Sequence, residues 1–151
     1  MKRTILLILV LVAVALPAGV SGFVHWTAGD IQGLGVKLAG EMAGKPVISK
    51  EIGKWGNHLS MIARRTADGE AELHVKTVDF FVAEKGEAVL VVGGKMVSPK
   101  TTAPNEMRGP SIEGGERVTM KVGDVVHIPA NTPHQLLVKK EFLYFVVKVD
   151  Q

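Results

Sequence analysis

After Pro46 the chain breaks into short apolar segments, each punctuated by Gly, Asp or Pro: HLSMIARR, AELHVKTV, DFFVA, EAVLVVGGKMV, ERVTMKV, DVVHIPA, HQLLVKK and EFLYFVVKV. They are rich in Val, Ile and Phe, residues that fit a pleated, half-buried surface. Many short strands separated by regular turns predict an all-β sandwich or barrel. Gly93-Gly94 lies between apolar runs and predicts a hairpin, because both positions can take positive φ. Residues 98–116, SPKTTAPNEMRGPSIEGGE, hold three prolines and three glycines and predict one long loop, either a solvated surface loop or a binding loop.

Upstream the pattern is different. In residues 27–42 the apolar positions Ile31, Leu34, Leu38 and Met42 fall three and four apart, on one face of a helix. Thr27 and Asp30 have the spacing of a capping box. Gly33, Gly35 and Gly40 each weaken a helix by roughly 1 kcal/mol relative to Ala, so the expected helix is short or irregular. Trp26 is expected to pack this segment onto the rest of the domain.

The first residues form a third pattern. Lys2 and Arg3 precede an uncharged apolar run from Ile5 to Leu16, Pro17 ends it, and small residues follow. This is the layout of a secretory signal peptide over 1–22. The run falls short of the roughly 20 residues that span a bilayer, so no stable membrane span is expected after cleavage; the alternative is an uncleaved anchor. The expected organisation is a leader (1–22), an N-terminal extension packing on the barrel (23–56) and one β domain (57–151), exported to the periplasm or secreted.

Composition changes the picture in two places. The leader carries two of the 18 basic residues and none of the 15 acidic ones, so its removal leaves 16 against 15, a net +1. With no basic stripe interleaved with aromatics, nucleic-acid binding is not expected. The chain has no cysteine, so the core alone must hold the fold. No Walker spacing, dinucleotide fingerprint or Ser/His/Asp nucleophile motif appears.

The chemistry gathers around two motifs. In GDVVHIPANTPH the order is Gly123, five residues, Pro129, one residue, Asn131, two residues, His134. This resembles the second signature of the cupin superfamily, Gly-x5-Pro-x-Gly-x2-His-x3-Asn, with Asn131 in place of Gly and Val138 in place of Asn. Asn tolerates a left-handed turn best after Gly. DGEAELHVKTVDFFVAEKG is similar to the first signature, Gly-x5-His-x-His-x3-4-Glu-x6-Gly, read as Glu72-x-His74-x4-Asp79-x6-Gly86. Here Glu72 replaces the first His, Asp79 replaces Glu, and Gly69 stands closer than the pattern's Gly. The resemblance spans roughly residues 57–149. It implies a cupin-type β-barrel or jelly roll with a small-molecule pocket, and the homodimers common in that superfamily.

Elementary geometry supports a site. Glu72 and His74 are two apart on a strand and share a face. If their strand lies beside those carrying Asp79 and His134, four polar side chains converge, and buried charge needs partners. A divalent ion would satisfy all four. Two imidazoles with a carboxylate suit Fe(II), and the same donors suit Mn or Zn. Glu72, His74, Asp79 and His134 are therefore candidate metal ligands. Asp79 is alternatively a group bonded to His74 or a catalytic base, and Arg108 is a candidate catalytic group; Arg64, Arg65 and Arg108 are candidate anion clamps. His127 and His58 are expected to be scaffold. Three function classes remain open: a metal-dependent enzyme acting on a small organic molecule, a non-catalytic module binding a small ligand or metal, and a metal-free acid/base isomerase using Glu72, His74 and His134.

Overall fold

The computed structural model describes residues 20–151. The expected leader lies outside them except for its last three residues. The single helix among the described residues, α1 (Ala28–Glu41), starts at the expected capping box: the Thr27 side chain accepts from the Asp30 amide, and the Asp30 carboxylate accepts from the Thr27 amide. Its apolar stripe buries Ile31 and Leu38 against Ile62 and Leu143. Gly35, costly for the helix itself, is what allows this contact: a Cβ there would run into the Leu143 side chain. Trp26 packs as expected, edge-on to Trp55 with ring centroids 6.0 Å apart and beside Phe145.

Twelve strands follow: β1 (Val47–Trp55), β2 (His58–Arg65), β3 (Ala71–His74), β4 (Thr77–Val92), β5 (Lys95–Met96), β6 (Lys100–Ala103), β7 (Glu106–Gly109), β8 (Ile112–Glu113), β9 (Glu116–Lys121), β10 (Val125–Ile128), β11 (His134–Leu137) and β12 (Phe142–Asp150). All their pairings are antiparallel, as the expected jelly roll requires. Residues 47–55, within the expected extension, join the main sheet by pairing along β2.

β4 organises the barrel. Its first half pairs β12 and β10, continuing through β2 to β1; its second half pairs β9 and β11, continuing through β3 and β7 to β6. The chain passes from one wing to the other at Gly86, whose φ is +79°. The two wings curl around an apolar core that includes Phe81, Leu90, Met120, Ile128, Phe142 and Tyr144.

Two expectations are corrected. Gly93 and Gly94 both take positive φ, yet they do not close a hairpin on β4. At Val92 both edges of β4 are already occupied, by His134 on one side and Glu116 on the other, so the outgoing chain leaves the sheet and β5 pairs β8. Residues 98–116 are not one irregular loop. They hold β6, β7, β8 and the first residue of β9, and β7 is a full neighbour of β3. The prolines lie outside these strands, and Pro104-Asn105 makes the β6–β7 turn with Asn105 at φ +63°.

Candidate metal centre

Glu72 and His74 both point into the barrel from β3, as their two-residue spacing requires. His134 opens β11 directly opposite Glu72. The turn ahead of it is tied down: Asn131 takes φ +59°, and its amide donates to the His74 carbonyl at 2.8 Å. The same residue that replaces the usual Gly thus couples the His134 turn to the strand carrying the other two groups. One donor atom from each of Glu72, His74 and His134 lies within 4.8 Å of the other two.

His134 is 3% exposed. Its Nδ1 is 3.1 Å from the Thr132 carbonyl, a contact that requires the proton on Nδ1. That tautomer leaves the Nε2 lone pair bare. Nε2 is buried and has no hydrogen-bond partner among the described residues. Burial pushes the imidazole below its ordinary value and so favours the neutral ring, against the pull of Glu72 and Asp79 towards its charged form. A buried, neutral, unpartnered imidazole nitrogen is the form in which histidine ligates a metal.

His74 sits among carboxylates. Nδ1 reaches both oxygens of Glu106, its register partner on β7, at 2.6 and 2.7 Å. Around Nε2 stand the Lys148 Nζ at 2.9 Å, Asp79 at 3.3 Å and Glu72 at 3.6 Å. Burial works against a charged ring, but hydrogen bonds to Asp79 and Glu72 outweigh it, and its pKa rises to about 9 despite Lys148. Because the folded value lies above the unfolded one, this stabilisation is complete below about pH 6.5 and lost as pH rises through 9. The shift corresponds to roughly 3 kcal/mol. Metal-free protein is therefore expected to lose stability between pH 7 and 10 in urea titrations, and His74→Gln to flatten that dependence. An equal loss in both proteins would exclude His74 as its source.

The two carboxylates beside His74 differ in their partners. Asp79, 1% exposed, receives both of its bonds from Lys148, at 2.8 and 2.9 Å. Burial would raise its pKa, but His74 and Lys148 together pull it below the ordinary carboxylate value. It stands next to the Glu72–His74–His134 trio, not within it. Glu72 accepts from Arg65 at 3.0 Å and faces Arg108 at 3.6 Å. Burial opposes its charge as well, yet the His74 hydrogen bond and the arginines hold it well below the carboxylate range. Arg65 Nε also donates to the Tyr144 hydroxyl at 3.0 Å.

Glu72 and Asp79 line a cavity of about 480 Å³ together with Arg65, Phe81, Arg108, Tyr144 and Lys148, and the two histidines lie behind them, outside that lining. A wider groove of about 740 Å³ lies along Gly86–Val89 and Lys139–Glu141; its lining has no histidine.

The four side chains expected to converge do so, and Arg108 reaches the same cavity beside Glu72. Arg64 turns away to pair with Glu141 at 2.8 Å. His127 packs on Phe80 on the outer face and His58 stacks on Trp55, both scaffold roles. Sequence reasoning missed Lys148 and Glu106. Lys148 was legible as the next inward position after Phe142, Tyr144 and Val146 in FLYFVVKV. Glu106 was hidden by reading its segment as a loop.

No protein-family model matches the chain, and no curated protein matches it either. Solved structures do. KdgF from Halomonas sp. has a TM-score of 0.53 at 12% identity, over 72% of this chain and 84% of that one. A cupin superfamily protein from Desulfitobacterium hafniense gives 0.52 at 13%, over 71% and 80%. The Cnp3 cupin domain of Schizosaccharomyces pombe gives 0.54 at 9%, over 71% and 66%. The chain has the cupin fold, a curled antiparallel jelly roll with α1 packed outside it.

Proposed function

We propose that this is an exported cupin-fold protein that holds a divalent metal ion at Glu72, His74 and His134 and acts as an enzyme on a small organic molecule in the adjoining cavity. The observation that carries the reading is the His134 Nε2: buried, kept bare by the Thr132 bond, and facing a carboxylate and a second imidazole. Glu106 on the far nitrogen of His74 adds the carboxylate–histidine support common behind metal ligands. Fe, Mn and Zn all suit this donor set.

When bound, the ion supplies a Lewis acid for a substrate oxygen. The chain supplies the rest. Arg108 offers a partly exposed guanidinium to an anionic group on the substrate. Arg65 fixes Glu72 and the Tyr144 hydroxyl together. Asp79, held ionised by Lys148, adds a fixed negative charge beside the ligands.

One observation favours a second reading, a metal-free acid/base site: Lys148 already provides a cation at His74 Nε2. Elemental analysis decides between them. Protein purified from metal-replete medium is expected to carry about one divalent ion per chain, and Glu72→Ala and His134→Ala to lose it. Unchanged content in both variants would place the metal elsewhere, and a metal-free wild type would favour the second reading. Export rests on the apolar run 5–16 and the small residues after it. Recovery of the chain at its full, unshortened mass from the cytoplasm would defeat it.

A further inference from the structure

Lys148 is where the barrel departs most from a plain ligand cluster. It lies on the inner face of β12, directly opposite Asp79 in register. Its side chain is 24% exposed, yet the Nζ reaches inward to three atoms: His74 Nε2 at 2.9 Å and the two Asp79 oxygens at 2.8 and 2.9 Å. Inward positions on the same strand, Phe142, Tyr144 and Val146, are buried, and the Tyr144 hydroxyl is the one polar atom among their side chains. An ammonium at the end of this row is therefore costly unless carboxylates and lone pairs compensate it, and Asp79 does so almost alone.

The nitrogen that Lys148 touches is the one His74 would present to a metal, because its other nitrogen is taken by Glu106. Whether Nε2 carries its own proton or accepts one from the ammonium, a metal ion can bind there only in place of that proton, and the ammonium at 2.9 Å crowds the same position. A divalent ion on Glu72, His74 and His134 would also stand beside the Lys148 charge in a poorly screened interior, where like charges a few ångströms apart repel strongly.

We infer that Lys148 is the built-in competitor of the metal: its ammonium serves as the resident cation of the metal-free site, and a divalent ion binds only by displacing it from His74. This rests on the metal reading above and adds to it the residue that limits affinity. The retained partner for the displaced ammonium is Asp79, whose carboxylate stands next to the ligand trio. Asp79 is on this account the group that keeps the lysine in the pocket, so metal affinity is lower than the three ligands alone would give.

The test is calorimetric titration of metal-stripped full chain with Zn²⁺ alone, for wild type, Lys148→Met, Lys148→Gln and His134→Ala. The Lys148 variants are expected to bind Zn²⁺ at least tenfold more tightly than wild type, and their melting temperatures to rise more on Zn²⁺ addition. His134→Ala is expected to bind none. Equal or weaker binding by both Lys148 variants, with His134→Ala still inactive, overturns the competition and leaves the metal site intact. Absence of binding in wild type and in both lysine variants overturns the competition and the metal reading together. Should the variants fail to fold, wild type answers alone through amine-reactive labelling of Lys148 followed by mass spectrometry. Zn²⁺ is expected to increase its labelling, and unchanged or reduced labelling overturns the inference.

Discussion

Gly86→Ala is expected to destabilise the protein by about 3 kcal/mol or more, although it adds one methyl group to an exposed position. Two costs combine. The φ of +79° is a region that residues with a Cβ rarely occupy, worth about 1–3 kcal/mol. The added Cβ would also fall on the backbone carbonyl of Glu141, which cannot rotate away as a side chain could. Relief requires moving β4 relative to the start of β12, and Gly86 is paired to Phe142 at the point where β4 passes between the wings. The measurement is a pair of urea denaturations, Gly86→Ala beside Gly123→Ala. Gly123 has a φ of +91° but open space around its Cβ direction, so it carries the strain without the clash. A Gly86 variant no less stable than the Gly123 variant would show that the bend tolerates a side chain.

Asp79→Ala, in metal-free protein, is expected to cost about 2–4 kcal/mol. Removing one partner of a buried ion pair leaves the other charge uncompensated, typically costing 3–5 kcal/mol. The lower range follows because Lys148 keeps 24% exposure and can partly retreat to water. His74 loses one of the groups holding its proton, which adds to the effect. Lys148→Met alone leaves Asp79 buried without its ammonium and is also expected to destabilise. The double variant should recover part of both losses, and the difference in a double-mutant cycle measures the coupling. Strictly additive single effects would mean that the 2.8 Å pair contributes nothing as a pair.

The motifs made much of this site readable in advance. Glu72 and His74 share a face because strand geometry has a period of two, and Pro129, Asn131 and Pro133 marked a rigid turn before His134. Asn131 carried more than the turn conformation expected of it, since its amide also reaches the His74 carbonyl. The misreadings share one cause. Gly93-Gly94 had the local chemistry of a hairpin, but a hairpin needs a free strand edge, and whether an edge is free depends on β9 and β11 far along the chain. Residues 98–116 looked loop-like because Pro and Gly dominate their composition, while what makes β7 a strand is the partner that β3 offers.

By itself the sequence determined the class of fold, the capped helix, and the set of side chains able to meet at one end of the barrel, because these follow from periodicity, turn chemistry and motif spacing. Only the tertiary structure decided how those side chains divide their partners. Glu106 reaches His74 and Lys148 reaches Asp79 through strand register, which joins residues 32 and 69 positions apart. Register is set by the pairing of whole strands, a property that no local stretch of chain contains.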